Sequence, residues 1–196
     1  MKWFLPSNRY DEIRLTVSNL IEDWGISVYP FCIWSLLRKM GISVVPYSAL
    51  PEDIRNTLLT YYPDAFTIYP SDFNPVKTTI YYNDEIANRN RIRFTLAHEL
   101  AHLVLMHLGT DDIIYEHEAD IFANYLLVPA PLIIESASFD YEVVSTNFVV
   151  SHGCAASACD RAIKRIQYGP MKRVEYEQRI LDYCSLRKGG DELAIV

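Results

Sequence analysis

Residues 91–108 read RIRFTLAHELAHLVLMHL, a stretch that is apolar on nearly every side when it is drawn as a helix. Such a helix is expected to be buried at the centre of its domain. The stretch contains the motif HExxH, here HELAH at 98–102. Helix positions i and i+4 lie about 40° apart, so His98 and His102 can bind one metal ion side by side.

Glu99 lies about 100° round the helix from His98 and can reach a water on that ion rather than the ion itself. Two imidazoles and a carboxylate on a buried helix are costly unless something pairs with them, and a divalent cation supplies that partner. Metallopeptidases typically hold zinc with the two histidines of this motif and use the glutamate directly after the first histidine as general base. The sequence therefore predicts Zn²⁺ as the cofactor.

A third ligand is expected from the next helix, predicted over residues 116–127. Glu116 and Glu118 lie about 200° apart on it, so only one of them can face the metal. Glu116 shares its face with Asp120, which could accept a hydrogen bond from a ligand imidazole and fix its tautomer. We expect Glu116 to be the ligand, with Glu118 as the alternative. If Glu116 ligates, Glu118 is expected on a solvated acidic face near the start of the helix.

His107 is not expected to be a ligand. The three-histidine form of the motif needs a histidine six residues after His102 and a glycine that turns the chain, and neither is present. On a helix that continues to residue 108, His107 lies about 180° from His98. We expect a buried histidine at the helix end, without a part in the site.

The rest of the chain predicts an α+β fold. Short runs rich in β-branched and aromatic residues, separated by Pro, Asp and Asn, indicate a small mixed sheet of about three strands, and helices precede and follow it. Residues 1–135 are expected to form the core with its N-terminal helices, and 136–196 a helical extension packed on it. The predicted helices span 11–24, 31–40, 91–108 and 116–127, with two or three shorter ones in 140–182; the predicted strands span 42–47, 65–69 and 78–82.

Composition limits the function further. Eighteen basic and 25 acidic residues give the 196-residue chain a formal net charge of −7, which argues against nucleic acid as the main partner. No secretory signal or membrane-spanning stretch is recognisable, so no membrane partner is expected. The four cysteines form no CxxC pair, which favours reduced thiols in the cytoplasm.

The C-terminal region offers a weaker pattern. Residues 143–162 carry a weak helix-turn-helix signature with a turn at 150–151. A DNA-binding regulator would use the basic residues that follow to contact phosphates. The net negative charge of the chain instead favours a helix that packs on the core with these basic residues in solvent. Such a helix would cover the core or dock a substrate. These basic residues are Arg161, Lys164, Arg165, Lys172 and Arg173.

Residues 93–107 and 116–129 resemble the signature of the ImmA/IrrE family of metallo-endopeptidases, and the strand residues 80–83 precede them in the family's order. The resemblance covers about residues 10–165. It implies a minimal zincin-like core of the gluzincin type, a zinc peptidase of the cytoplasm that is often encoded on mobile elements or prophages, and a helix-turn-helix repressor as its protein substrate.

Three points stay open at this level. The chain could instead be a non-proteolytic zinc-binding module that sequesters a repressor or an antitoxin-like partner, and the oligomeric state is not indicated. A side chain that stabilises the transition state is not singled out either. The candidates are His152, Tyr81, Tyr82 and Tyr125.

Overall fold

The computed structural model describes residues 5–70, 77–107 and 112–187. Helices dominate these ranges, with short strands between them. The helices are α1 (Ser7–Asp23), α2 (Ile33–Lys39), α3 (Glu52–Tyr61), α4 (Arg89–Val104), α5 (Ile113–Leu127), α6 (Ala130–Ser136), α7 (Tyr141–Phe148), α8 (His152–Tyr168) and α9 (Glu175–Tyr183). The strands are β1 (Val28–Tyr29), β2 (Ser43–Pro46), β3 (Ala65–Ile68), β4 (Thr79–Tyr82) and β5 (Ser185–Leu186).

The main sheet is mixed and has the order β2-β4-β3. Strand β2 runs parallel to β4, with Val44 opposite Ile80, whereas β3 runs antiparallel to β4, with Thr67 opposite Ile80. Ile80 is fully buried at the middle of the sheet. Strand β3 is the edge next to α4, and within the described residues it pairs on one side alone. A second, two-stranded sheet pairs β1 with β5.

The predicted α+β class and the small mixed sheet are confirmed, and each predicted strand overlaps an observed one. Helices α3 and α6 were not predicted. Helix α3 packs no residue fully into the core. Two prolines, at 129 and 131, follow the end of α5, a pattern that predicts the end of helical structure. Pro129 instead precedes α6, and Pro131 lies in its first turn, where proline is tolerated.

Side-chain caps set the starts of the two central helices. The side chain of Asn88 accepts hydrogen bonds from the backbone of Asn90 and Arg91, and that of Asp112 accepts one from Ile114. These caps satisfy amide groups that a helix start leaves without partners. They begin α4 and α5 two or three residues before the apolar pattern predicts.

Helix α4 ends at Val104, so the prediction of a continuous helix to residue 108 is wrong; residue 108 itself lies outside the described ranges. Met106 adopts a left-handed conformation with φ of 58°. The amide of His107 donates to the carbonyl of His102 at 2.9 Å, and that of Met106 to Leu103 at 3.4 Å. This is a Schellman motif with methionine at the position that usually holds glycine. It turns His107 back over the last turn of the helix.

Helices α4 and α5 pack against each other along their length, and α4 also contacts α2, β3 and β4. Residues Leu96, Leu100 and Phe122 are fully buried in this layer. Arg93 is also buried, and its guanidinium donates to the carbonyls of Phe31, Phe148 and Val149 at 2.6–2.9 Å. These bonds tie α4 to α7 and to the loop before α2. These bonds and the packing against α2, α5 and the main sheet hold the helix that carries HExxH in place.

Helices α7 and α8 pack together across a turn at residues 149–151, where the sequence predicts one. The basic residues that follow mostly have partners within the protein. Arg161 contacts Asn124 and Ser157, Lys164 contacts Asp160, Arg165 contacts Glu177, and Arg173 contacts Glu135. No helix in the described ranges is both long and apolar enough to cross a membrane.

Candidate metal centre

His98, His102 and Glu116 come together between α4 and α5. The Nε2 atoms of the two histidines are 3.1 Å apart, and the Glu116 carboxylate oxygens lie 3.1 Å from His98 Nε2 and 3.4 Å from His102 Nε2. Tetrahedral zinc with bonds of about 2.0–2.1 Å places its ligand atoms about 3.3 Å from one another. These separations are close to that spacing, with a different oxygen of Glu116 nearest to each histidine, and the triangle of His98, His102 and Glu116 offers donors that zinc prefers.

The two imidazoles turn their Nδ1 atoms away from this triangle. Nδ1 of His98 lies 3.0 Å from Oδ1 of Asp120, and Nδ1 of His102 lies 3.2 Å from Nδ1 of His107. A proton held on Nδ1 leaves the Nε2 lone pair free for a metal. Both ring orientations thus suit ligation through Nε2.

The charges around the triangle shift the pKa values of the histidines in opposite directions. Burial lowers the pKa of His98, but the carboxylates of Asp120, Glu116 and Glu99 outweigh it and raise that pKa above 6.5. Burial and then the neighbouring His98 hold the pKa of His102 well below 6.5. The two neighbouring imidazoles therefore do not favour being protonated together, and a metal ion bound to both Nε2 atoms can take the place of a proton there.

Glu99 lies on the same helix but outside the triangle. Burial raises the pKa of its carboxyl, a hydrogen bond from the Thr67 hydroxyl and the nearby His98 lower it, and Glu116 raises it; the net shift is upward. The Thr67 Oγ1 to Glu99 Oε2 distance is 2.5 Å. A carboxylate with a raised pKa is better matched to taking up a proton near neutral pH.

A groove of about 660 Å³ runs over this centre, a size typical of ligand sites. The edge strand β3 forms one wall and α4 the other. Its described tyrosines are Tyr61, Tyr62 and Tyr69. Burial, and then Glu99, raise the pKa of Tyr69, so its hydroxyl keeps its proton and can donate.

The candidates for a transition-state donor that the sequence left open lie elsewhere. Neither His152 nor any of the three predicted tyrosines is among the described residues that line the groove. Tyr81 stacks on Phe66, and Tyr125 is buried beside Tyr176. Tyr69 was missed, although it lies two residues after Thr67, and strand alternation puts such residues on one face.

Glu118, the alternative ligand, faces away from the triangle. Its Oε2 lies 3.0 Å from Nε2 of His107, and Arg9 binds its carboxylate from α1. The prediction that Glu118 lies on a solvated face is wrong, because only 4% of the residue is exposed. His107 is buried, as predicted, but it contacts His102 because the helix ends before it. The prediction that His107 has no part near the site rested on a continuous helix.

A helix pair that joins HExxH to a glutamate, set beside a small mixed sheet, defines a minimal zincin-like core. A family model confirms this class: the IrrE N-terminal-like domain, peptidase family M78, matches residues 41–158. The chain belongs to this family, which supports a metallopeptidase type of function. No curated protein matches the chain significantly.

Proposed function

We propose that the chain is a zinc-dependent endopeptidase of the cytoplasm that cleaves a helix-turn-helix transcriptional repressor. The observation that carries the proposal is the triangle of His98, His102 and Glu116 with Glu99 beside it. Three protein ligands leave a fourth position for water and substrate, as in catalytic rather than structural zinc sites.

Zinc in this triangle would lower the pKa of a water to about 7 and polarise the substrate carbonyl. Glu99 takes a proton from the attacking water and later delivers it to the amine of the leaving peptide. Asp120 keeps the His98 ring in its ligating orientation throughout. Burial of Glu99 supports this role because it raises the affinity of the carboxylate for a proton.

The groove suits an extended peptide. In the part of the chain that the structure describes, strand β3 pairs on one side alone, and sheet edges of this kind bind peptides by adding a strand through main-chain hydrogen bonds. Strand addition binds mainly the backbone of the peptide, and side chains add specificity. It therefore supports an endopeptidase, because an endopeptidase does not need to bind an end of the substrate chain at the metal centre.

The charge of the chain supports a DNA-binding protein as the substrate. Its net charge is −7, although within the groove Arg91 pairs with Asp64 at 2.7 Å and the other carboxylates belong to the proposed centre. Repressors that bind DNA carry basic faces, and a chain of net negative charge attracts them. The pairing of the chain's own C-terminal basic side chains supports protein rather than DNA as its partner.

Cytoplasmic location is supported by the thiols. All four cysteines fall within the described ranges and are free, and Cys154, Cys159 and Cys184 are buried. Unpaired cysteines are typical of proteins in a reducing compartment.

The test is Glu99→Gln, with Glu175→Gln on the exposed face of α9 as a matched control. Each protein is co-expressed with the regulator encoded beside it, and zinc content, regulator cleavage and promoter release are measured. Glu99→Gln should keep its zinc while cleavage falls at least about 100-fold. If both proteins release the promoter equally and leave the regulator intact, sequestration without proteolysis is the function instead.

A further inference from the structure

A buried line of polar contacts connects the ligand His102 to helix α1. Nδ1 of His102 lies 3.2 Å from Nδ1 of His107, and Nε2 of His107 lies 3.0 Å from Oε2 of Glu118. His107 and Glu118 are only 5% and 4% exposed. Buried polar groups of this kind are costly unless they are fully paired, so the line has a structural reason to stay intact.

The outer end of the line is an arginine from another part of the chain. Arg9 Nε donates to Glu118 Oε1 at 2.6 Å, and Arg9 Nη2 donates to Oε2 at 2.5 Å. Such a bidentate pair fixes the plane of the carboxylate as well as its position. Arg9 lies in α1, outside the segment 41–158 that matches the family.

Ring packing fixes His107 between these partners. The His107 ring stacks on Tyr115 with centroids 4.3 Å apart and planes inclined by 9°. The Schellman motif at Met106 determines where the backbone of His107 lies. His107 therefore cannot turn freely, and its two ring nitrogens face His102 and Glu118.

With both imidazoles neutral, one assignment of protons satisfies every contact. Ligation through Nε2 puts the proton of His102 on Nδ1, which donates to Nδ1 of His107. The proton of His107 is then on Nε2 and donates to Glu118, whose ionised carboxylate also accepts from Arg9. Each partner fixes the tautomer of the next, and the line ends on a group that always carries its protons.

We propose that His107, Glu118 and Arg9 are positioning residues that hold His102 in its ligating tautomer and orientation, so that α1 is part of the metal centre. This inference rests on the proposed metal site. It gives His102 the same kind of support that Asp120 gives His98, but from two buried residues and a partly buried arginine.

The first test measures zinc affinity by competition with a chromophoric chelator. His107→Phe keeps a ring against Tyr115 but removes both nitrogens, and Glu118→Gln removes the charge. Both should weaken zinc binding roughly 10- to 100-fold, the range for lost support of a ligand. Arg9→Met should weaken it less, since Glu118 still contacts His107.

Arg179→Met is the matched control. Arg179 forms an equivalent bidentate pair with Glu22 and ties α1 to α9, away from the metal centre. Zinc affinity should stay within about twofold of wild type if the line, rather than the general packing of α1, supports His102. Folded His107→Phe and Glu118→Gln proteins that bind zinc as tightly as wild type would overturn the proposal.

A second measurement needs no variant. Nitrogen-15 NMR of the zinc-loaded wild-type protein should show His102 protonated on Nδ1 and His107 protonated on Nε2. The opposite tautomer at His107 would overturn the inference even if the variants fail to fold. A wild-type protein that binds no zinc would instead overturn the proposed function, and this inference with it, so the two failures are distinguishable.

Discussion

The Thr67 hydroxyl donates a hydrogen bond of 2.5 Å to Oε2 of Glu99, which joins the edge strand β3 to the proposed general base. Glu99 is otherwise in surroundings that disfavour its charge, because burial raises its pKa. The hydroxyl opposes that shift by stabilising the ionised form. Strand β3 therefore holds the Glu99 carboxylate at the groove and also lowers its pKa.

Replacing Thr67 by valine should move the acidic limb of the peptidase pH profile to higher pH. The variant loses the bond that favours the carboxylate, so the pKa of Glu99 rises and the base is protonated over a wider range. The measurement is kcat/KM against pH. Thr67→Ser, which keeps a hydroxyl, is the control, and an unchanged limb in Thr67→Val would show that the bond is absent in the working enzyme.

Asp120→Asn should weaken zinc binding roughly 10- to 100-fold, because the amide supports the ligating orientation of His98 less well than a carboxylate does. Chelator competition measures this effect. Asp182→Asn makes the same chemical change on the exposed face of α9 and should leave affinity unchanged. If Asp182→Asn lost as much zinc affinity as Asp120→Asn, the net charge of the protein, and not the contact with His98, would explain the effect.

Glu118 should contribute to stability in a pH-dependent way. Burial raises the pKa of its carboxyl, but Arg9 and His107 outweigh this and leave it below 4.5. The contribution is therefore fully present above pH 4.5 and is lost as the pH falls through the lowered value. In metal-free protein, the melting temperature of wild type should fall more steeply over about pH 5 to 3 than that of Glu118→Gln. Parallel curves would contradict this.

Met106→Gly should stabilise the protein. A left-handed conformation destabilises a residue with a side chain by roughly 1–2 kcal/mol, a cost that glycine does not have. The greater conformational freedom of glycine in the unfolded chain offsets about 0.5–1 kcal/mol of this stabilisation. Met106 is 72% exposed, so little packing is lost. A net gain of about 0.5–1 kcal/mol in the free energy of unfolding is expected from urea titration. Met106→Ala keeps the Cβ and should show no such gain.

Much of the centre was predictable because it depends on helix periodicity. The spacing of His98, His102 and Glu99 fixes their relative directions on any α-helix, and Glu116 with Asp120 follows the same rule on α5. Their mutual approach needed only that α4 and α5 pack together. The class of fold followed from the helical periodicity and from short runs rich in β-branched and aromatic residues.

The surroundings of His102 could not be predicted in the same way. His107 contacts it because Met106 adopts a conformation that favours glycine, and nothing in the local sequence signals that turn. Glu118 is buried because Arg9 pairs with it from a distant helix, a contact that no periodic pattern contains. Local rules therefore gave the candidate ligands and Asp120 as the support of His98, but missed the residues that contact His102.

The Arg9–Glu118 pair also bears on how the protein could be shortened. A fragment trimmed to the segment that matches the family would keep His98, His102 and Glu116 but lose α1. Glu118 would then lose its guanidinium and the helix that packs on α5, so the contacts that hold its carboxylate against His107 would be weakened. The family match thus covers the candidate ligands, whereas under our proposal the smallest unit that keeps the geometry of the candidate metal centre begins earlier, at the first helix.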